Sequence, residues 1–142
     1  MDPITQGLIG ATASQSFAKP ETFRAAAFTG FVSAMIADLD VFIPTGSDPL
    51  LTVELHRHFT HSFIFIPFGA LIATVVTWWF VKKHLTPKEA YLYSFAGYAT
   101  AGVADVVTSY GVYLFWPFLD ERFSLNIISV FDPLFSLGIL LL

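Results

Sequence analysis

The stretch Phe63–Val81 contains no charged residue, ends in Trp78-Trp79 and is followed at once by Lys82-Lys83. As a helix it is long enough to cross a hydrocarbon core of about 30 Å, with aromatic and basic residues placed where a membrane–water boundary favours them. This feature predicts a membrane-embedded chain, and the rest of the sequence agrees. Of the 142 residues, 55% are hydrophobic and only 13% charged, more apolar surface than a water-soluble domain of this size hides.

Further apolar segments flank this one. Residues 25–37 are uncharged and lead through Asp38-Leu39-Asp40 to Ile43, where Pro44 and Gly46-Ser47-Asp48-Pro49 predict a helix end and a loop. Residues 90–119 carry one charge, Asp105. A straight helix over that stretch would run about 45 Å, so a break is expected near Gly111 or before Pro117. Residues 4–18 form a short segment rich in Gly7, Gly10, Ala11, Ala13 and Ser14, suited to close helix packing. A last helix is expected from near Ile127, and the apolar Leu140-Leu141-Leu142 predicts continuation beyond residue 142. The expected fold class is all-α, a multi-pass transmembrane helical bundle of four to five apolar helices forming a single domain over residues 1–142. Met1-Asp2-Pro3 lacks the basic start of a signal peptide, so this segment is expected to be retained.

The charges are distributed unevenly. Lys19 and Arg24 lie in one connection and Lys82, Lys83 and Lys88 in another, two crossings later and therefore on the same side. That side is expected to be cytoplasmic. The opposite connections hold Asp38, Asp40, Asp48, Glu54, His56, His58, His61, Asp120 and Glu121, with Arg57 and Arg122 as their basic residues. A polar site toward the non-cytoplasmic side is expected, and the net charge of −4 argues against nucleic acid as a partner.

Three constellations can carry chemistry. Asp38 and Asp40 end a spanning helix, where the dipole disfavours carboxylates and a compensating cation is needed; a metal ion is one such cation, and a solvated helix end is the simpler account. The segment His56-Arg57-His58-Phe59-Thr60-His61-Ser62 places three of the four histidines directly before Phe63–Val81. On a helix His58 and His61 would share a face, so a joint role for His56 and His61 requires a turn between them. With no cysteine in the chain, a metal would take nitrogen and oxygen donors, a set that suits zinc, manganese or iron, with Thr60 and Ser62 hydroxyls free to orient the ligands. Asp105 sits between Val103-Ala104 and Val106-Val107; at that depth it needs a partner or a bound ion, Thr108 or Ser109 being the local alternatives. His84, beside Lys82 and Lys83, reads as surface, and Asp132-Pro133 as a kink or a cap.

In their order along the chain, Asp2-Pro3-Ile4-Thr5-Gln6-Gly7, Asp38-Leu39-Asp40, His56-Arg57-His58-Phe59-Thr60-His61-Ser62, Asp105 with Thr108-Ser109-Tyr110-Gly111, and Trp116-Pro117 resemble the bacterial inner-membrane proteins called membrane-bound metal-dependent hydrolases, the YdjM-like group. The resemblance runs over nearly the whole chain. It implies a divalent metal ion, zinc ahead of manganese or iron, on Asp38, Asp40, His56, His61 and Asp105. It also implies hydrolysis of an ester or phosphoester in a lipid-like substrate, with Arg57 and Thr60 as the expected catalytic residues, Arg57 holding an anionic group. Gln6 and Ala101 stand where the family pattern has histidines. Alanine offers no donor, and an amide carbonyl prefers harder ions. The rival expectation is a non-enzymatic relative, or a small-solute or ion pathway lined by Asp105 and the histidines.

Overall fold

A computed structural model describes residues 1–43 and 56–141. The loop expected at Pro44 and Gly46-Ser47-Asp48-Pro49, with Asp48 and Glu54, lies outside the described residues, as does Leu142. Five α-helices follow in order: α1 (Pro3–Gln15), α2 (Phe23–Ile36), α3 (Ile66–Val81), α4 (Pro87–Val106) and α5 (Pro133–Leu140). A 3-10 turn, Ala37–Phe42, extends α2, and two shorter ones, Phe59–His61 and Phe63–Phe65, lead into α3. The all-helical expectation holds, and no strand occurs among the described residues beyond two isolated bridges.

Local chemistry sets the helix starts. Asp2 caps α1 by accepting from the Thr5 amide at 3.0 Å, with Pro3 pre-set in the first turn. Thr86 and Glu89 cap each other's end of α4 reciprocally. Asp132 accepts from the amides of Leu134 and Phe135, so Asp132-Pro133 is a cap rather than a kink. That cap moves the start of the last helix from the expected Ile127 to Pro133. Residues before it are extended because their backbone pairs with the end of α4: the amides of Leu125 and Ile127 donate to the carbonyls of Val106 and Val107 at 2.7 and 3.0 Å. The break in the long 90–119 segment likewise comes earlier than expected. Helix α4 stops at Val106, the Thr108 hydroxyl taking the freed Asp105 carbonyl at 2.8 Å. Gly111, at φ 75°, supplies a left-handed turn further on.

Helices α2 and α4 form the central pair, each touching α1 and α3, while α5 lies against α1. Small residues bring the backbones together. A Cβ on Gly10 would lie 2.5 Å from the Gly30 carbonyl oxygen, and one on Gly97 would strike the same atom from the α4 side. Hydroxyls bridge these contacts: Ser14 donates to the Tyr93 carbonyl at 2.8 Å and Ser33 to the Ser94 carbonyl at 2.6 Å.

Two segments, Phe23–Phe42 and Phe63–Val81, are long and apolar enough to cross a membrane. Helix α4 has 20 residues, about 30 Å, but its Ser, Thr, Tyr and Gly content keeps it below that hydropathy. Along α3 the outer face is a continuous apolar wall of Phe68, Leu71, Ile72, Val75, Val76, Trp79 and Phe80, all exposed. In water such a patch would be a liability; against acyl chains it is a lipid-facing surface.

Candidate metal centre

Asp38 and Asp40 both come from the 3-10 turn that ends α2, and both are buried. They are not a solvated helix end. Three residues per turn set positions two apart at about 120° from each other, so the two carboxylates serve different neighbours.

Asp40 organises residues 56–61. One oxygen receives the Arg57 amide at 2.8 Å and the Thr60 hydroxyl at 2.6 Å, and the other lies 2.8 Å from His56 Nδ1. These bonds hold Arg57 in the left-handed region, at φ 61°, a conformation that costs a non-glycine residue energy and persists only where its surroundings enforce it. The Thr60 hydroxyl also lies 3.0 Å from His61 Nδ1, so Asp40, Thr60 and His61 form a chain that fixes the imidazole. Helix α4 supplies the other side of the mould. Tyr98 donates its hydroxyl to the Thr60 carbonyl at 3.0 Å, and a Cβ on Gly102 would lie 2.5 Å from the His61 carbonyl oxygen. With Asp105 these residues stand at helical spacing on one stripe of α4.

The result is a convergence of Asp38, His61 and Asp105, with one ligand-type atom from each lying within 4.8 Å of the others. His61 Nε2 is 3.3 Å from Asp38 Oδ1 and 3.2 Å from Asp105 Oδ2. None of these three atoms has a hydrogen bond among the described residues, and neither has Asp38 Oδ2, although all are buried. Two buried carboxylates held this close repel each other, and a cation between them, beside the Arg57 guanidinium, would offset that cost. One imidazole nitrogen and two carboxylates are a donor set that fits a divalent transition metal.

Positive charge also comes from the chain itself. Arg57 Nε is 3.2 Å from Asp105 Oδ2 and 3.9 Å from Asp38 Oδ1, and Nη2 donates to the Met1 carbonyl at 2.7 Å. The Met1 α-ammonium group donates to Asp105 Oδ1. The guanidinium lies over the Tyr110 ring, 5.0 Å from its centre, and Nη1 is buried without a hydrogen bond among the described residues. For His61, which precedes the second apolar span, burial pushes the pKa down. The hydrogen-bonding reach and charge of Asp105 and Asp38 outweigh that and raise it to about 9.

The five residues expected to share a metal therefore fall into two sets. Asp38, His61 and Asp105 meet, while Asp40 and His56 pair with each other beside them. His58 turns away to Tyr113 and Trp116, 3.8 Å from Asp120. His84 is exposed, as expected. Thr108, one local partner considered for Asp105, bonds its backbone carbonyl rather than its carboxylate. Gln6 is fully buried; its amide nitrogen donates to the Ala34 carbonyl at 3.0 Å, one turn before Asp38, and its Oε1 has no hydrogen bond among the described residues. Ala101 is fully buried in a cluster with Ala37, Ile66, Ala70 and Tyr98, one turn before Asp105 on α4. Tyr98 and Gly102 were not singled out from the sequence. The signal for them was their seven- and three-residue spacing from Asp105, which places them on its face of the helix.

No curated protein and no solved structure matches this sequence. The family model described as YdjM inner membrane protein matches residues 1–142, the whole chain. An acidic, histidine-bearing cluster set among apolar helices thus has a family to go with it: the chain belongs to the YdjM inner membrane protein family.

Proposed function

We propose that the chain is a multi-pass inner-membrane hydrolase dependent on a divalent metal ion, with residues 1–142 forming one transmembrane helical domain. The observation that carries the reading is the meeting of Asp38, His61 and Asp105, their facing atoms buried and within 4.8 Å of one another. When bound, a divalent ion supplies Lewis acidity and an acidified water at neutral pH. Zinc comes first on the imidazole donor, with manganese and iron as rivals.

Around that ion the chain's own residues divide the work. Asp40 and Thr60 orient His61, and His56 steadies Asp40 from the outer side. Arg57 holds Asp105 in place and offers Nη1 to an anionic oxygen of an ester or phosphoester substrate. A lipid-like substrate is favoured by the apolar helices that surround the cluster. Helices α1 to α4 are taken to cross the bilayer, with this cluster on the non-cytoplasmic side and Lys19, Arg24, Lys82, Lys83 and Lys88 on the cytoplasmic side.

Metal analysis of purified wild type beside His61→Ala tests the proposal. Wild type is expected to carry stoichiometric transition metal and the variant to lose it. Wild type that stays metal-free after reconstitution would leave the second reading, in which Arg57 and the Met1 ammonium already neutralise Asp105 and the cluster is a fixed ion network.

Proton competition gives an independent check. With its pKa near 9, His61 must release a proton before its imidazole can ligate. Apparent zinc affinity is therefore expected to rise about tenfold per pH unit between pH 6 and 8 and to level off near 9. Zinc titrations monitored by calorimetry would show this, and a flat profile over that range would remove His61 from the ligand set.

A further inference from the structure

The opposite end of the molecule holds a groove of about 1000 Å³ between the α1–α2 connection, the start of α2 and the end of α3. Its walls are Phe23 and Phe28 on one side and Phe80 on the other, the last two rings meeting edge to face with centres 5.9 Å apart. Its floor includes Ala25 and the buried Val81. Arg24 and His84 stand at the rim with Glu21. All three rings are exposed, and Phe80 continues the lipid-facing wall of α3, so the groove opens sideways toward acyl chains.

The charge at this end selects among occupants. Five of the seven basic residues gather here, against Glu21 and Glu89. Two of the five are already engaged: Lys19 lies 3.7 Å from Glu89, and Lys82 sits over the Trp79 ring at 3.8 Å. Arg24, although it lines an aromatic groove, has no ion pair, hydrogen bond or ring contact among the described residues. A guanidinium presents a planar fork that matches two oxygens of a phosphate.

We propose that this groove binds an anionic phospholipid, its phosphate on Arg24 with His84 beside it and its acyl chains between Phe23, Phe28 and Phe80. The volume far exceeds what a free phosphate fills, and the aromatic walls have no use for one. The excess of basic groups disfavours a zwitterionic headgroup. A hydroxyl-bearing headgroup such as glycerol also gives Glu21 a donor to accept from.

The test uses the full chain, with native mass spectrometry after exchange into nanodiscs of phosphatidylglycerol, phosphatidylethanolamine or phosphatidylcholine. Wild type is expected to retain phosphatidylglycerol over the other two. Arg24→Gln is expected to weaken that retention about tenfold, the size of a lost charge-assisted contact. Arg24→Lys should restore part of it, because the charge returns without the fork. Lys88→Gln removes an exposed charge outside the groove and should leave retention unchanged. Equal loss in Lys88→Gln would replace the site with diffuse charge attraction. Equal retention of all three lipids would make the groove an apolar surface only, and displacement by inorganic phosphate would assign it to a soluble anion. Arg24 is exposed, so its variants should remain monodisperse; if they do not, Phe80→Ala, which removes an exposed wall, must lower retention or the proposal fails.

Discussion

Gly30→Leu is expected to abolish the bundle, leaving protein that aggregates on extraction instead of eluting as a single species. Gly30 sits where α1 and α4 both press their backbones on α2. A side chain there would meet the Gly10 carbonyl oxygen and the Ser14 side chain. Added methylenes in a filled core commonly cost about 1–3 kcal/mol because side chains can give way. Here the obstacle includes the α1 backbone at Gly10, which cannot rotate away, so the expected cost lies at or above the top of that range. Gly138→Leu is the control: among the described residues nothing lies within 4 Å of a Cβ at that position, and its elution and thermal midpoint should match wild type. A monodisperse Gly30→Leu with an unchanged midpoint would refute the close-packed centre.

The second large effect is at the buried charges. Asp105→Leu leaves Arg57, itself 4% exposed, facing the apolar side of α4 without the carboxylate that balances it. Removing one partner of a buried pair costs about 3–5 kcal/mol, since the other charge stays desolvated. The thermal midpoint should fall sharply, and metal binding should be lost with it. The double change Asp105→Leu with Arg57→Met should recover much of the midpoint while metal binding stays absent. That divergence separates the structural role of the pair from its role at the metal. A single variant as stable as wild type would mean that Arg57 is balanced elsewhere.

The chain announced some of this and concealed the rest for physical reasons. Phe63–Val81 was readable because an uncharged run bounded by tryptophans and lysines has few other fates. Asp105 was readable as a residue needing a partner, because a carboxylate set among valines has no solvent to turn to. Asp38 and His61 were named among the residues expected to meet it, but which of the two aspartates would do so was not readable. Asp38 and Asp40 are equivalent in the sequence, and only the 3-10 winding at the end of α2 sends one to His61 and the other to Thr60. The end of α4 was placed too late because the carbonyls of Val106 and Val107 are taken by the distant amides of Leu125 and Ile127, a pairing the local sequence does not announce, in addition to the Thr108 hydroxyl on the Asp105 carbonyl. By contrast the start of α5 was written in Asp132-Pro133, a cap signature overridden by the apolar run before it. Ala101 read as a missing ligand; the structure buries it in an apolar cluster one turn before Asp105.

The seating of His61 against Gly102 sets how the cluster responds to its surroundings. Two successive peptide carbonyls, those of Thr60 and His61, rest on Tyr98 and Gly102, and Asp105 follows on the same helix. The separation between imidazole and carboxylate is thereby gauged by the rise of α4 rather than by their mutual attraction. Because both groups are referred to one helix, a rigid tilt of α4 carries them together and leaves their spacing unchanged.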